Sequence, residues 1–248
     1  MKAMILAAGL GTRLRPLTND RPKGLVEVAG RTLLEITVAR LRQFGVSEII
    51  INIHHFADKV IEYLKTKNNF GLRIEISRED ILLDTGGGLK KAAWFFLEDG
   101  IAGAPFIVHN VDVISDIDLG GLVEFHRQSQ ALATLAVQQR ETSRYLLFDK
   151  QMQLCGRWFV KEQKTEMARA AHHVEPLAFT GIHVVSPRLL QMIDEEGAFS
   201  IIQTYLRLTG RGEKIIGSRV DKAYWRDLGK PENVAQTAEE LRTKTQNL

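Results

Sequence analysis

The first 31 residues, MKAMILAAGLGTRLRPLTNDRPKGLVEVAGR from Met1 to Arg31, decide the fold and point to the chemistry. A short apolar strand over residues 2–8 is predicted to lead into a glycine loop that carries three arginines and Lys23. Gly9 and Gly11 would let backbone N–H groups approach phosphate oxygens closely. The cations would offset the negative charge that grows during phosphoryl transfer. This stretch therefore predicts a loop that binds a polyphosphate.

Two better-known glycine loops are excluded by the residues that follow the glycines. The dinucleotide fingerprint G-x-G-x-x-G needs a third glycine where this chain has Leu14. The GxxxxGK[ST] loop needs lysine and serine or threonine directly after its last glycine, whereas Gly11 is followed by Thr-Arg. Because Arg15 precedes a proline and such a residue avoids helical geometry, the loop is predicted to stay irregular until past Pro22.

Residues 6–23, LAAGLGTRLRPLTNDRPK, resemble the signature of the sugar-1-phosphate nucleotidyltransferases, LAAGxGTRLxPLTxxxPK. The resemblance implies a reaction in which a sugar 1-phosphate attacks the α-phosphorus of a nucleoside triphosphate and releases pyrophosphate and an NDP-sugar. It also implies catalytic, phosphate-binding roles for Arg13 and Lys23. The nucleotide contacts that it implies in this loop are Ala8, Gly9, Gly11, Thr12 and Arg13.

The same chemistry calls for Mg²⁺, which neutralises a triphosphate under attack and prefers oxygen ligands. Asp112 lies in PFIVHNVDV, where the family reads NGD, and Asp227 lies in YWRDLGKPENV, which resembles the family's WxDIGTPE. The resemblance implies that these two carboxylates hold the metal. Without it, an aspartate after a strand is often a turn or capping residue. Val111 replaces the glycine of NGD and is expected to crowd the metal site slightly.

A second glycine cluster, LLDTGGGLKKA over residues 82–92, resembles the family segment that lies against the nucleobase. It implies nucleotide contacts from Thr85, Gly86 and Gly87. A helix is expected to begin near Leu89 and to direct its positive end towards the base. The alternative is a loop that only caps this helix, with Thr85 as the capping residue.

The sugar is assigned to later segments of the chain. FTGIH at residues 179–183 resembles the family's FxGIY strand and implies sugar contacts by Thr180 and Gly181, with a plain β-bulge as the alternative. Asn110 is expected to contact the ribose or the sugar, and Glu175 is a further sugar candidate. Lys161 is a weaker candidate for the sugar or its phosphate, and Glu79 and Asp84 are weaker candidates beside the second glycine cluster.

Alternating strand and helix patterns predict an α/β fold with a doubly wound, mostly parallel, Rossmann-like mixed sheet flanked by helices. The β-branched run EIIINI at residues 48–53 is typical of a strand covered on both faces. After about Gln138 the pattern changes to antiparallel strands. The resemblance implies a glycosyltransferase-A-like nucleotidyltransferase fold in a single domain. Its expected parts are a nucleotide-binding part (1–138), a sugar-binding part (139–230) and a C-terminal helix (231–248).

Composition limits the partners. The 33 basic and 30 acidic residues give a net charge of +3, which suits phosphate-binding loops better than a basic stripe for nucleic acid. The single Cys155 cannot form an internal disulfide, so we expect a reducing, cytoplasmic location. No apolar stretch is long enough to span a bilayer, and a signal peptide is not expected. The expected partners are a nucleoside triphosphate and a sugar 1-phosphate, without nucleic acid or membrane; a homo-oligomer remains open.

Several readings stay open. The chain resembles most the short, single-domain members of the family, which favours UTP and N-acetylmuramate 1-phosphate. GTP or CTP with a mannose, heptose or choline phosphate is the alternative. A nucleotide-binding regulator without turnover is disfavoured because all four catalytic and metal candidates are present. A nicotinamide-dependent oxidoreductase is disfavoured because the predicted second strand ends in histidines instead of an acidic residue.

Overall fold

The computed structural model describes residues 1–100 and 103–246 and divides them into two units, each made of segments that are distant in the sequence. The first unit contains residues 1–82 and 109–116 together with the C-terminal region from Tyr224. The second contains residues 83–108 and 117–223.

The strands, numbered in chain order, are β1 (Lys2–Leu6), β2 (Glu27–Val28), β3 (Arg31–Thr32), β4 (Glu48–Ile53), β5 (Arg73–Arg78), β6 (Phe106–Asn110), β7 (Val113–Ser115), β8 (Ala133–Gln138), β9 (Arg144–Phe148), β10 (Leu154–Phe159), β11 (Lys164–Met167), β12 (Glu175–Val185), β13 (Ile215–Arg219) and β14 (Trp225–Asp227). The helices are α1 (Leu33–Gln43), α2 (Ala57–Thr66), α3 (Asp84–Lys91), α4 (Ala93–Leu97), α5 (Leu119–Ser129), α6 (Ile201–Gly210) and α7 (Pro231–Gln246). No helix within these described residues is long and apolar enough to cross a membrane.

The first unit is built on three parallel strands. β4 pairs with β1 on one side and with β5 on the other. Its residues Ile49, Ile50 and Ile51 are fully buried, which confirms the prediction of a strand covered on both faces. A short antiparallel pair, β7 with β14, lies in the same unit.

Helix α1 shows how the sequence sets a helix in this unit. The Thr32 side chain accepts a hydrogen bond from the Glu35 backbone N–H at 3.1 Å and caps the first turn. Leu34, Val38 and Leu41 recur at helical spacing in the sequence and are buried on one face.

The second unit is mainly antiparallel, as predicted for the region after residue 138. β12 pairs antiparallel with β8 and with β9, and β9, β10 and β11 continue antiparallel. Only β13 runs parallel to its neighbour β8 among the pairs described for this unit. The mixed sheet with flanking helices confirms the predicted fold class.

A buried histidine ties together three segments of the second unit. His126 is 3% exposed, and its Nδ1 lies 2.9 Å from Thr134 Oγ1 while its Nε2 lies 3.0 Å from Ser186 Oγ. The Ser186 hydroxyl donates to the Ala131 carbonyl at 3.0 Å, so its oxygen accepts from Nε2–H and Nδ1 accepts from Thr134. Burial lowers the pKa of His126 from 6.5 to about 4, so the ring is neutral at physiological pH.

This histidine makes folding stability depend on pH. Because its pKa is lower in the folded chain, the unfolded chain binds more protons between pH 6.5 and 4. The folding stability that neutral His126 contributes is fully present above pH 6.5. It decreases by on the order of 3 kcal/mol as the pH falls through that window. Urea unfolding at pH 7.5, 5.5 and 4.5 should show a smaller loss of stability for His126→Gln than for the parent. Equal losses in the two proteins would contradict the assignment.

Candidate active site

The loop that follows β1 is closed by hydrogen bonds to one glycine carbonyl. The Gly11 carbonyl accepts from the Leu14 backbone N–H at 2.9 Å and from the Thr18 hydroxyl at 2.8 Å. Gly11 has φ +64°, and an added Cβ would lie 2.9 Å from Thr18 Cγ2, so glycine is required there. Leu14 is fully buried and anchors the loop, whereas Gly9 and Arg13 are exposed on it.

The loop is less irregular than predicted. A 3₁₀ turn spans Thr12–Leu14 and ends at Arg15, and a second spans Lys23–Leu25. Arg15 has φ −58° and ψ 140°, the extended conformation that the following proline favours. No α-helix begins at Gly9 or Gly11, as predicted, but the segment contains these two 3₁₀ turns.

Asn52, which the sequence reading missed, fixes the point where β1 becomes the loop. Its Oδ1 accepts the Ala7 backbone N–H at 2.8 Å, and its Nδ2 donates to Glu79 Oε1 at 2.7 Å. Asn52 and Glu79 are each 2% exposed. The Glu79 carbonyl in turn lies 2.8 Å from His54 Nδ1. Glu79, a weak ligand candidate in the sequence, therefore orients the Asn52 amide in the structure.

We expect Asn52→Ala to raise the KM for the nucleotide and to lower the free energy of unfolding by about 1–3 kcal/mol, because the buried Ala7 N–H loses its acceptor. Initial rates at varied nucleotide concentration and urea unfolding measure the two effects. Gln43→Ala, an exposed amide on α1, is the control. A stability loss with unchanged nucleotide KM would mean that Asn52 does not position the loop.

Residues distant in sequence meet at the ends of β6 and β14. Asp112 follows β6 and is 7% exposed, and its Oδ2 forms an ion pair with Lys23 Nζ. Asp227 ends β14, whose pairing with β7 places it opposite Val113. The Leu228 backbone N–H donates to the Asp112 carbonyl at 2.8 Å. The two predicted metal ligands and a predicted catalytic lysine thus lie in one cluster.

Electrostatics in this cluster disfavour two negative charges. Burial raises the pKa of Asp227, and the neighbouring Asp112 carboxylate raises it further. The Gly229 N–H, which donates to Asp227 Oδ1 at 2.6 Å, acts in the opposite direction, as do Lys23 and Arg13. Lys23 and Arg13 therefore offset only part of the negative charge of the two carboxylates.

Gly229, also missed by the sequence reading, leaves the space that brings Arg13 to this cluster. An added Cβ would lie 2.7 Å from Asp227 Oδ1 and 2.8 Å from Arg13 Nη2. Its own backbone N–H is used by Asp227. The sequence did contain a signal for Gly229, because a glycine directly follows the YWRDL motif.

We expect Gly229→Ala to lower kcat about 10- to 100-fold, because the methyl group displaces Arg13 and Asp227 by a fraction of an ångström to an ångström. The melting temperature should change little, since the Arg13 side chain can move. Gly120→Ala, at an exposed position of α5, is the matched control. An unchanged kcat would argue against a tightly placed Arg13.

Two further predicted residues lie beside Asp112. Asn110 ends β6 and is half-buried. Val111 is 1% exposed, and an added Cβ on Gly24 would lie 3.5 Å from its Cγ2. The Val111 side chain is therefore packed in the core against Gly24, which accounts for a valine in place of the family's glycine.

The second glycine cluster lies in the second unit and differs from its prediction. Helix α3 begins at Asp84 and includes the glycines, so the expected start near Leu89 is wrong. The Gly86 and Gly87 N–H groups donate to the Phe199 carbonyl at 2.9 and 3.3 Å. An added Cβ on Gly86 would lie 2.3 Å from the Phe199 ring. Close packing thus overrides the low helix propensity of glycine.

Thr85 caps a helix, but a different one from that expected. Its Oγ1 accepts the Ile201 backbone N–H at 3.0 Å, at the start of α6. The nucleotide contacts assigned to Thr85, Gly86 and Gly87 remain predictions, and the backbone donors of both glycines are already used within the unit.

The predicted sugar residues are engaged within the second unit. Glu175 Oε1 is paired with Arg219 Nη1 at 2.6 Å. The Thr180 hydroxyl is buried and donates to the Ala136 carbonyl at 2.9 Å. Gly181 has φ +81° and lies where the register of β12 against β8 shifts, which is the β-bulge alternative. Their sugar contacts remain predictions.

Residues 2–244 match the family model described as nucleotidyl transferase, so the chain belongs to that family. Its named relatives are sugar-1-phosphate nucleotidyltransferases, and this chain is an enzyme of that class.

Three relatives define the similarity. N-acetylmuramate alpha-1-phosphate uridylyltransferase from Caulobacter vibrioides is 34% identical over 97% of this chain and 96% of its own length. Mannose-1-phosphate guanyltransferase from Yarrowia lipolytica is 32% identical over 94% of this chain, which spans 62% of that relative. UTP–glucose-1-phosphate uridylyltransferase from Synechocystis is 30% identical, and the chain spans 60% of it.

Solved structures support the same fold. A putative glucose-1-phosphate thymidylyltransferase from Bacillus anthracis superposes with a TM-score of 0.79 at 21% identity, covering 98% of this chain and 95% of that one. HddC from Yersinia pseudotuberculosis superposes with a TM-score of 0.75 at 23% identity, covering 97% and 99%. At these identities the comparison concerns the fold alone.

Proposed function

We propose that this enzyme transfers a uridylyl group from UTP to N-acetylmuramate 1-phosphate in a Mg²⁺-dependent reaction. The observation that carries the choice of substrates is the similarity to the Caulobacter enzyme over nearly the full length of both proteins. The guanyltransferase and glucose relatives are matched over only 62% and 60% of their lengths. Their similarity makes GTP-dependent transfer to mannose 1-phosphate the second candidate. The product would be a cell-wall or polysaccharide precursor made in the cytoplasm.

The carboxylate cluster fits a divalent cation. Across the described part of the chain, no group of three or more His, Cys, Asp or Glu could hold a metal. Mg²⁺, however, usually takes one or two carboxylates and completes its shell with phosphates and waters. Two hard oxygen donors are adjacent in this cluster, because the neighbouring Asp112 carboxylate contributes to the raised pKa of Asp227. Asp112 and Asp227 would hold the ion, which neutralises the triphosphate when bound.

Arg13 and Lys23 would act on the phosphates directly. A sugar 1-phosphate oxygen would attack the α-phosphorus, and the bond from that phosphorus to the departing pyrophosphate would break. Arg13 presents a planar fork of N–H donors from the exposed loop, which suits phosphate oxygens. Lys23, paired with Asp112, would place a second positive charge beside the charge that develops on pyrophosphate.

Pyrophosphate release tests the reaction and its substrates together. UTP, dTTP, GTP, CTP and ATP should be crossed with N-acetylmuramate, N-acetylglucosamine, glucose, mannose and heptose 1-phosphates in the presence of Mg²⁺. We expect UTP with N-acetylmuramate 1-phosphate to give the highest kcat/KM. The highest kcat/KM with GTP and mannose 1-phosphate would establish the second candidate. Pyrophosphate release that persists in excess EDTA would refute the dependence on Mg²⁺.

Asp112→Asn and Asp227→Asn should each lower kcat by about 100-fold or more. Asp227→Asn should leave the melting temperature unchanged or higher, because it removes a buried charge that Asp112 opposes. Asp58→Asn, at an exposed carboxylate of α2, is the matched control. Rates equal to those of the parent in both variants would contradict the assignment of Asp112 and Asp227 as metal ligands.

A further inference from the structure

A cleft in the second unit has no role in the reaction as described so far. It encloses about 490 Å³, a volume within the range of small-molecule sites. Strands β9 and β10 form one wall, and the segment that leads into α6 forms another. All the lining residues belong to the second unit.

Strand register decides which side chains of the hairpin share a face. Phe159 is paired with Arg144, and Arg157 is paired with Leu146. Because successive side chains alternate across a strand, these four residues lie on one face. Tyr145 and its partner Trp158 alternate to the other face of the hairpin, and both also line the cleft.

The two arginines on this face differ in their partners. Arg157 Nε donates to Glu166 Oε2 at 2.6 Å, and Glu166 is also paired with Lys164. The Arg144 guanidinium has no carboxylate partner among the described residues, and its Cζ lies 6.0 Å from the centroid of the Phe159 ring. Arg144 is therefore an exposed cation with its N–H donors available at the cleft.

The opposite face of the hairpin holds Arg144 in place. The rings of Tyr145 and Trp158 are stacked, with centroids 5.4 Å apart and an interplanar angle of 19°. The Tyr145 hydroxyl oxygen accepts the Thr142 backbone N–H, and the Arg144 backbone N–H lies 3.4 Å from Thr142 Oγ1. The backbone that carries Arg144 is thus fixed before any ligand binds.

The remaining polar groups suit a sugar with one acidic group. Asp84, an exposed carboxylate, and the Gln203 amide also line the cleft, and both group types bind hydroxyl and acetamido groups. Arg157 has Glu166 as its ion-pair partner, so Arg144 is the arginine of this face whose guanidinium is not paired with a carboxylate of the described residues. A polyanion such as a triphosphate would be opposed by Asp84, whereas a single ligand carboxylate can be bound by Arg144 in a bidentate contact.

We propose that this cleft binds the sugar ring and that Arg144 binds the carboxylate of an acidic amino sugar 1-phosphate, which makes it a specificity-determining residue. The inference rests on the proposed function, because N-acetylmuramate differs from N-acetylglucosamine by an ether-linked side chain that ends in a carboxylate. Arg144 thereby selects the acidic sugar over its neutral parent.

The test compares these two sugar 1-phosphates with UTP in the parent and in Arg144→Gln. We expect the ratio of kcat/KM for the acidic sugar to that for the neutral sugar to fall about 10- to 100-fold, the loss typical of a charge-assisted hydrogen bond. Arg144→Lys, which keeps the charge without the fork, should give an intermediate ratio. Arg127→Gln, at an exposed arginine of α5, should leave the ratio at the parental value.

Calorimetric binding of both sugar 1-phosphates is measured alongside, so that the outcome does not depend on turnover. A parent enzyme that is inactive with N-acetylmuramate 1-phosphate would refute the proposed function. The affinities for the two sugar 1-phosphates would still test whether Arg144 binds the carboxylate. An equal loss for both ligands in Arg144→Gln would show that the arginine binds the shared phosphate or ring and would overturn the proposal. An unchanged ratio would overturn it as well.

Discussion

Two carboxylates that are largely removed from water and lie next to each other are the constraint on which the first unit depends. Burial and the neighbouring Asp112 carboxylate both raise the pKa of Asp227, so a negative charge on Asp227 costs free energy. The chain supplies Lys23 directly and brings Arg13 close through the space at Gly229. The glycine loop that carries Arg13 is anchored by the fully buried Leu14 side chain. A divalent cation would offset the negative charge that remains on the two carboxylates.

Much of this could be predicted from the sequence because the signals are local. The β-branched run of β4, the apolar spacing of α1 and the change of pattern after residue 138 each reflect burial along a single element. The motifs of Asp112 and Asp227 predict two carboxylates at one site through the family resemblance. The pairing of β7 with β14 is what brings them together.

What the sequence did not reveal depends on close approach between distant segments. Asn52 lies inside an apolar strand, where an amide gives no sign that it will accept from Ala7 and donate to Glu79. The helical state of Gly86 and Gly87 contradicts their intrinsic propensity, because only a missing Cβ admits Phe199. Propensity alone therefore places the glycines in a loop before the helix, whereas the packing of Gly86 against Phe199 makes them part of α3.

The contact of α3 with the segment before α6 has an evolutionary consequence. Phe199 fills the space beside Gly86, its carbonyl accepts two N–H groups of α3, and Thr85 caps α6 in return. An added Cβ at position 86 would lie 2.3 Å from the Phe199 ring and also 2.9 Å from the Phe199 carbonyl oxygen. A smaller side chain at position 199 would therefore not make enough room by itself, and homologues should keep glycine at position 86 wherever this carbonyl accepts from α3.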